Sequence, residues 1–293
     1  MKMHNSRREF LQKSLVAGMG LSLTNPFSAI ALNQPSKMQL GLVTYQWGKD
    51  WDLPTLIANC EEAGLLGVEL RTEHAHGVET SLSKHQRAEV KQRFADSEVT
   101  CVGYGSNYAY HYPEVAKLRE NIEGTKDYLK LCHDIGASGI KVKPNGLPKD
   151  VPQEKTIAQI ANSLNKVGKY AADLGQEVRV EVHGKRTQQL PNMEAIFEQV
   201  TESSVKVCWN SNDEDLLSPG LEKNFHSVKK WFGDTVHIRE LNVGDYPYQQ
   251  LMNLFNEIDY RGWILLEART SPDDRVAAMK KQLSIFNKMV ASS

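Results

Sequence analysis

The chain is predicted to fold as a single-domain α/β protein, a (β/α)8 TIM barrel. Three observations carry this expectation. Short apolar runs alternate with longer amphipathic segments from about Lys37 to the end of the chain. Eight of these runs read as strands, which in about 260 residues is what an eight-unit barrel needs. A doubly wound sheet would place a Gly-rich phosphate loop after its first strand, and "YQWGKDW" supplies none.

The first strand, "QLGLVTYQW" (39–47), is followed by the helix segment "DLPTLIANCEEAG", which opens on Asp52 and closes on Gly64 as an N-cap and left-handed C-cap should. The second strand, "GVELR" (67–71), precedes "SLSKHQRAEVKQRFADS", a helix opening on serine. The third, "TCVGYGS" (100–106), precedes "NIEGTKDYLKLCHDIGA", and the fourth, "GIKVKP" (139–144), precedes "EKTIAQIANSLNKVGKYAADLG". The fifth strand is "VRVEVHG" (178–184). The sixth, "VKVCWN" (205–210), leads to "LEKNFHSVKKWF". The seventh is "VHIREL" (236–241), and the eighth, "WILLEAR" (263–269), leads to the last helix, "DRVAAMKKQLSIFNKMV". No linker, low-complexity stretch or strong short repeat interrupts residues 37–293, so one domain is expected there.

Composition narrows the function classes. With 293 residues, 40% of them hydrophobic, and a formal net charge of -1, the chain can bury one large core and has no basic stripe to draw nucleic acid. Residues 1–31 have the layout of a signal peptide: Lys2, Arg7 and Arg8 precede the apolar "SLVAGMGLSL" and the small-residue pattern "AIA" at Ala29 to Ala31. Within it, "SRREFL" (Ser6 to Leu11) is similar to the twin-arginine motif of proteins exported already folded. An exported, periplasmic protein without a stable membrane anchor is expected, because the apolar run is too short for a convincing span. Cys60, Cys101, Cys132 and Cys208 are widely spaced within apolar segments and read as free core thiols.

Strand parity points to a site. In a barrel, alternate strand residues face the helices or the lumen, and the helix side should be apolar. That places Val178, Val180 and Val182 outward, and Arg179, Glu181 and His183 inward. By the same rule Glu69, Arg71, Lys141, Lys143, His237, Arg239 and Glu267 face the lumen, and Asn210 shares its face with Cys208, opposite Val205, Val207 and Trp209. Most lie toward the carboxyl ends of their strands, where barrel enzymes build active sites. Glu181, Asn210, His237 and Glu267 come from four consecutive strands. Two carboxylates, an amide oxygen and an imidazole suit one divalent ion: Mn²⁺, Mg²⁺, Co²⁺ or Zn²⁺.

The Glu of "VEVHG", the end of "VCWN", the His of "VHIREL" and the Glu of "LLEAR" together resemble the xylose-isomerase-like TIM barrels, a family of sugar isomerases and epimerases, inosose dehydratases and metal-dependent endonucleases. The resemblance implies that Glu181 and Glu267 act as both metal ligands and acid/base groups, with His237 as a ligand. Two positions depart from the family pattern: Asn210 stands where Asp is common, and Asp213 where His follows three residues later. An Asn ligand would lower the negative charge of the centre, weakening its hold on a metal while sharpening the Lewis acidity of the bound ion.

Other readings stay open at this level. The glutamates could instead pair with Lys141, Lys143, Arg179 or Arg239 in a structural lumen network, and Asn210 could cap a turn or bind substrate. Lys143 is a candidate to stabilise an enolate or anchor a hydroxyl, while Lys141 is expected to pair with Glu69 or Glu181. The candidate substrate contacts are Glu69, Lys141, His183, Trp209, Asp213 and Arg239, with Tyr45, Trp47, Tyr104, Tyr246 and Tyr248 as further rings that could stack on a sugar. His74 and His76, in "RTEHAHG", could swing over the opening or be only solvated. The expected reaction is metal-assisted proton abstraction beside the carbonyl of a non-phosphorylated keto-sugar, giving an isomerase or epimerase through an enediolate. Lyase or hydratase chemistry on a 3-keto-glycoside and a non-catalytic sugar-binding barrel are the rivals. A small-molecule sugar is the expected partner, and a homo-oligomer is compatible with the sequence.

Overall fold

Alternation of β-branched or leucine side chains with polar ones produces eight short strands, and a computed structural model describes their arrangement over residues 38–292. The strands are β1 (Gln39–Val43), β2 (Gly67–Arg71), β3 (Thr100–Ala109), β4 (Gly139–Lys143), β5 (Glu177–Glu181), β6 (Val205–Cys208), β7 (Thr235–Ile238) and β8 (Trp263–Leu266). All pair in parallel, in the order β6-β5-β4-β3-β2-β1-β8-β7. The ring closes between β6 and β7 through two parallel bridges, Val207 with Phe232 and Asn210 with His237, and a hydrogen bond from the His237 N–H to the Trp209 carbonyl at 2.7 Å. The result is the expected single-domain (β/α)8 barrel. The export segment expected at residues 1–31 lies outside the described residues.

Eight helices cover the outside: α1 (Leu53–Ala63), α2 (Lys84–Ala95), α3 (Val115–Ile135), α4 (Gln153–Asp173), α5 (Leu190–Phe197), α6 (Leu221–Val228), α7 (Tyr248–Glu257) and α8 (Arg275–Ala291). Asp52 caps α1 by accepting from the Thr55 N–H at 2.9 Å, and Gly64 closes it in the left-handed region at φ 75°. Ser83 and Gln86 form a reciprocal capping box on α2. Helices α5 and α7 were not among the segments marked by sequence. They are 8 and 10 residues long with no acidic first turn or basic last turn to mark their ends, whereas the equally short α6 carries Glu222 and His226 there. No helix among the described residues is long and apolar enough to cross a membrane.

Six strands end earlier than expected, β2 ends where expected at Arg71, and β3 runs on past Ser106 to Ala109. Residues 44–47, 182–184, 209–210, 239–241 and 267–269 continue the sequence pattern but lie beyond the regular strands, where single backbone bonds such as Thr44 N–H to the Glu69 carbonyl and Val182 N–H to the Cys208 carbonyl, both 3.0 Å, carry the pairing a step further. Outward side chains such as Leu42, Val180, Val207 and Ile264 join the main core under the helices. Inward apolar residues form a separate small cluster, Val43, Val102 and Leu265. Strand β3 carries a bulge opposite Val68 and Glu69, which turns Cys101 to the helices while Val102 and Gly103 both face the lumen. Gly103 and Gly105 make room there: a Cβ on Gly103 would lie 2.7 Å from Arg179 Nη1, and one on Gly105 would lie 2.6 Å from Glu69 Oε1. The four cysteines are buried and free.

Candidate metal centre

Strand ends and register bring the candidate ligands together. Glu181 is the last residue of β5, in register with Cys208 of β6. Asn210, two residues past β6, bridges to His237 of β7, and Glu267, one residue past β8, donates its N–H to the Ile238 carbonyl at 2.8 Å. Glu181, His237 and Glu267 are all buried, and each offers a ligating atom within 4.8 Å of the others. The Asn210 amide joins them, donating from Nδ2 to Glu181 Oε1 at 3.2 Å.

A second layer holds this trio. His237 Nε2 lies 3.2 Å and 3.3 Å from the two oxygens of Glu69, which fixes the ring and leaves Nδ1 facing Glu181 Oε1 at 3.8 Å without a hydrogen-bond partner. A carboxylate behind a ligating imidazole is the usual outer support of a metal-bound histidine. Lys141 Nζ lies 2.8 Å from Glu181 Oε2, an ion pair by distance whose angle falls outside hydrogen-bond geometry, so that oxygen too lacks a donor. Arg71 Nη1 donates to Glu267 Oε1 at 2.9 Å. A buried imidazole nitrogen without a hydrogen-bond partner, set between two buried carboxylates, fits a divalent cation with nitrogen and oxygen ligands. Turning the Asn210 side-chain amide would present its oxygen as a fourth ligand.

Electrostatics agree with a charged centre. Burial opposes ionisation of Glu181, yet the Lys141 ammonium, with His237, outweighs it and holds the carboxyl well below the usual range. Burial opposes the charge on Glu69 as well, and His237 overcomes it. Burial works against charge on His237, but Cys208, Glu69 and Glu181 push its pKa well above the ordinary value. At the mouth, burial lowers Lys143 to about 8. Burial also lowers His183, against the pull of Glu181.

The mouth carries groups suited to substrate. Lys143 Nζ and Arg71 Nη2 both donate to Asn107 Oδ1 at 3.1 Å, and His183 Nδ1 lies 3.0 Å from Asn145 Oδ1. Arg239, one residue past β7, is half-buried, and its backbone N–H donates to the Tyr248 hydroxyl at 3.1 Å. Asn107 and Asn145 were not singled out by sequence. Asn145 precedes a glycine and adopts φ 65°, so its letters read as a turn.

Several expected contacts lie elsewhere. Trp209 is fully buried on the helix side, its ring 5.7 Å from Phe225 and 6.1 Å from Phe232, so it is not placed to stack on a ligand in the lumen. Asp213 is exposed at the start of a 3-10 turn, Asp213–Leu216, capped by Asn212. Glu69 and Lys141 are fully buried and engage His237 and Glu181 rather than the mouth. His76 is neither solvated nor a lid: it is buried, accepts from the Val78 N–H at 3.0 Å and bonds the Arg71 carbonyl at 2.8 Å. His74 is held near Thr44 Oγ1 at 3.2 Å, and burial pushes it down to about 4.

Fold and site together define a parallel (β/α)8 barrel with a carboxylate–imidazole–carboxylate centre at the carboxyl ends of its strands. The chain belongs to the xylose isomerase-like TIM barrel family, whose model matches residues 57–212, more than half of it. None of the curated proteins matches it in sequence. Among solved structures it is similar to the apo form of 3-keto-D-glucoside 4-epimerase from E. coli, at 15% identity and TM-score 0.72 over 86% of this chain and 99% of that one. D-allulose 3-epimerase from Methylomonas sp., in complex with D-allulose, aligns at 18% identity and TM-score 0.71 over 87% and 98%. The probable 3-DHS dehydratase of Bacillus anthracis aligns at 15% and 0.66 over 85% and 98%. At such identities the likeness is one of fold.

Proposed function

We propose that this chain is a metal-dependent sugar isomerase or epimerase that moves a proton beside the carbonyl of a keto-sugar. The observation that carries the reading is the convergence of Glu181, His237 and Glu267 within 4.8 Å at the catalytic end of the barrel. Glu181, His237, Glu267 and Asn210 would hold one divalent ion, which when bound supplies Lewis acidity toward a carbonyl or hydroxyl oxygen. Glu181 and Glu267 are positioned to take and return the proton. Lys143, half-buried above them, presents an ammonium to the negative charge of the enediolate, and His183, oriented by Asn145, is placed to bond a sugar hydroxyl. Structures sharing the fold act on keto-glycosides and ketoses, which supports the substrate class. The export signal expected at residues 1–31 supports a free sugar or glycoside over a sugar phosphate, and with it the proposal of a periplasmic enzyme.

Lys143 gives the reading a pH signature. If its protonated form assists the reaction, kcat/KM falls as pH rises through about 8. Lys143→Met is expected to lower the rate and to remove this alkaline limb. A limb that survives in the variant would assign it to another group.

Incubation with 3-keto-glycosides and ketoses in D₂O tests the reaction itself. Deuterium is expected to enter the carbon next to the carbonyl, and only with metal present. No exchange with any keto-sugar would overturn the reading. The same mouth suits a lyase, since Lys143 could protonate a leaving group and a dehydratase shares this fold. Release of the aglycone with an unsaturated sugar product would mark that outcome.

A further inference from the structure

We propose that Lys141 and Arg71 are the centre's own counter-ions, cations that neutralise Glu181 and Glu267 when no metal is bound, make folding independent of metal and hold down the affinity for a divalent ion. This rests on the metal reading of Glu181, His237 and Glu267. Each carboxylate of that trio is already engaged by a cation from a neighbouring lumen position: Lys141 Nζ at 2.8 Å from Glu181, and Arg71 Nη1 at 2.9 Å from Glu267. The side chains of Lys141 and Glu181 are 0% and 2% exposed, and those of Arg71 and Glu267 are 9% and 8% exposed. Two buried carboxylates without these partners would repel each other and lose their hydration.

Neither cation is free to leave. Lys141 also donates to the Ser106 carbonyl at 3.2 Å, and Arg71 to Asn107 Oδ1 at 3.1 Å. An incoming divalent ion therefore shares its ligands with two like charges that stay in place. The sign of a mutation separates this role from simple positioning. Removing an outer partner that only orients a ligand weakens metal binding, by about ten- to a hundredfold. Removing a counter-ion tightens it.

The test is Mn²⁺ binding to the full chain, followed by electron paramagnetic resonance of free Mn²⁺, with thermal melts in parallel and no substrate present. Lys141→Met is expected to bind Mn²⁺ about tenfold tighter than the parent or better. Its melting temperature should rise more on Mn²⁺ addition than the parent's does. Arg71→Met should change affinity in the same direction, and Lys141→Arg should behave as the parent. If Lys141→Met does not fold without metal, it should refold from urea in saturating Mn²⁺; failure to do so would overturn the inference. Parent binding that is lost in Glu267→Gln, with no tighter binding in folded Lys141→Met, would overturn the inference alone. Absence of Mn²⁺ binding in both parent and Lys141→Met would overturn the metal reading with it.

Discussion

Replacing Glu181 with glutamine is expected to cut keto-sugar turnover by roughly a thousandfold, the scale of a lost acid/base group. The same change removes one negative ligand from the centre and leaves the Lys141 ammonium facing a neutral amide at a fully buried position. A buried ion deprived of its partner costs about 3–5 kcal/mol. The Ser106 carbonyl, still within 3.2 Å of Lys141, should keep the loss near the lower end of that range. The two effects separate in a double variant. Glu181→Gln with Lys141→Met should recover most of the stability and none of the turnover, measured by urea denaturation and by the exchange assay. A non-catalytic sugar binder would instead lose little ligand affinity in Glu181→Gln, so titration of the same variant with a keto-sugar distinguishes the two classes.

The second large effect lies one layer deeper, at Arg179. Its guanidinium is fully buried on the lumen axis and donates to the Val102 carbonyl at 2.8 Å, to Ser138 Oγ at 2.7 Å and to Glu177 Oε2 at 2.9 Å. These bonds tie β3 at its bulge to β4 and β5. Arg179→Met would take one donor from the Val102 carbonyl, which keeps the Ser138 hydroxyl at 3.0 Å, and one from Glu177, which keeps the Asp234 N–H at 3.3 Å, at an expected cost of about 1–3 kcal/mol. That corresponds to a fall in Tm of roughly 5 °C for a chain of this size. Glu177 is the more exposed partner and can recover water, which limits its share. The Mn²⁺ affinity of the folded variant should stay close to that of the parent, because none of the Arg179 contacts reaches Glu181, His237 or Glu267. A melt within a degree of the parent would mean that the lumen floor is held by packing of Val43, Val102 and Leu265 instead.

Much of this site was legible in the letters. Period-two alternation alone turned Glu181, His237 and Glu267 inward, because Val180, Val182, Val236, Ile238, Leu266 and Ala268 had to face the helices. It also offered Lys141 two carboxylate partners, Glu69 and Glu181, of which the structure gives it Glu181. Depth along the lumen was not legible. Glu69 and Lys141 share their parity with mouth residues, yet they sit beneath the centre as supports, since the stagger of strands around a barrel is set by register and not by letters. The bulge in β3 was equally hidden: it turns both Val102 and Gly103 to the lumen, where the Val102 carbonyl accepts from Arg179. Trp209 had two readings, and closure of β6 on β7 selects the helix side, where it meets Phe225 and Phe232. Asn107 and Asn145 act through tertiary contacts with Arg71, Lys143 and His183, which no local pattern encodes.

The central claim is that Glu181, His237 and Glu267 hold one divalent ion, with Asn210 turned toward it. A crystal soaked in Mn²⁺ and measured at the manganese absorption edge tests this most directly. A single anomalous peak is expected between the two carboxylates and His237 Nδ1. No peak there, or a peak only at the protein surface, would contradict it.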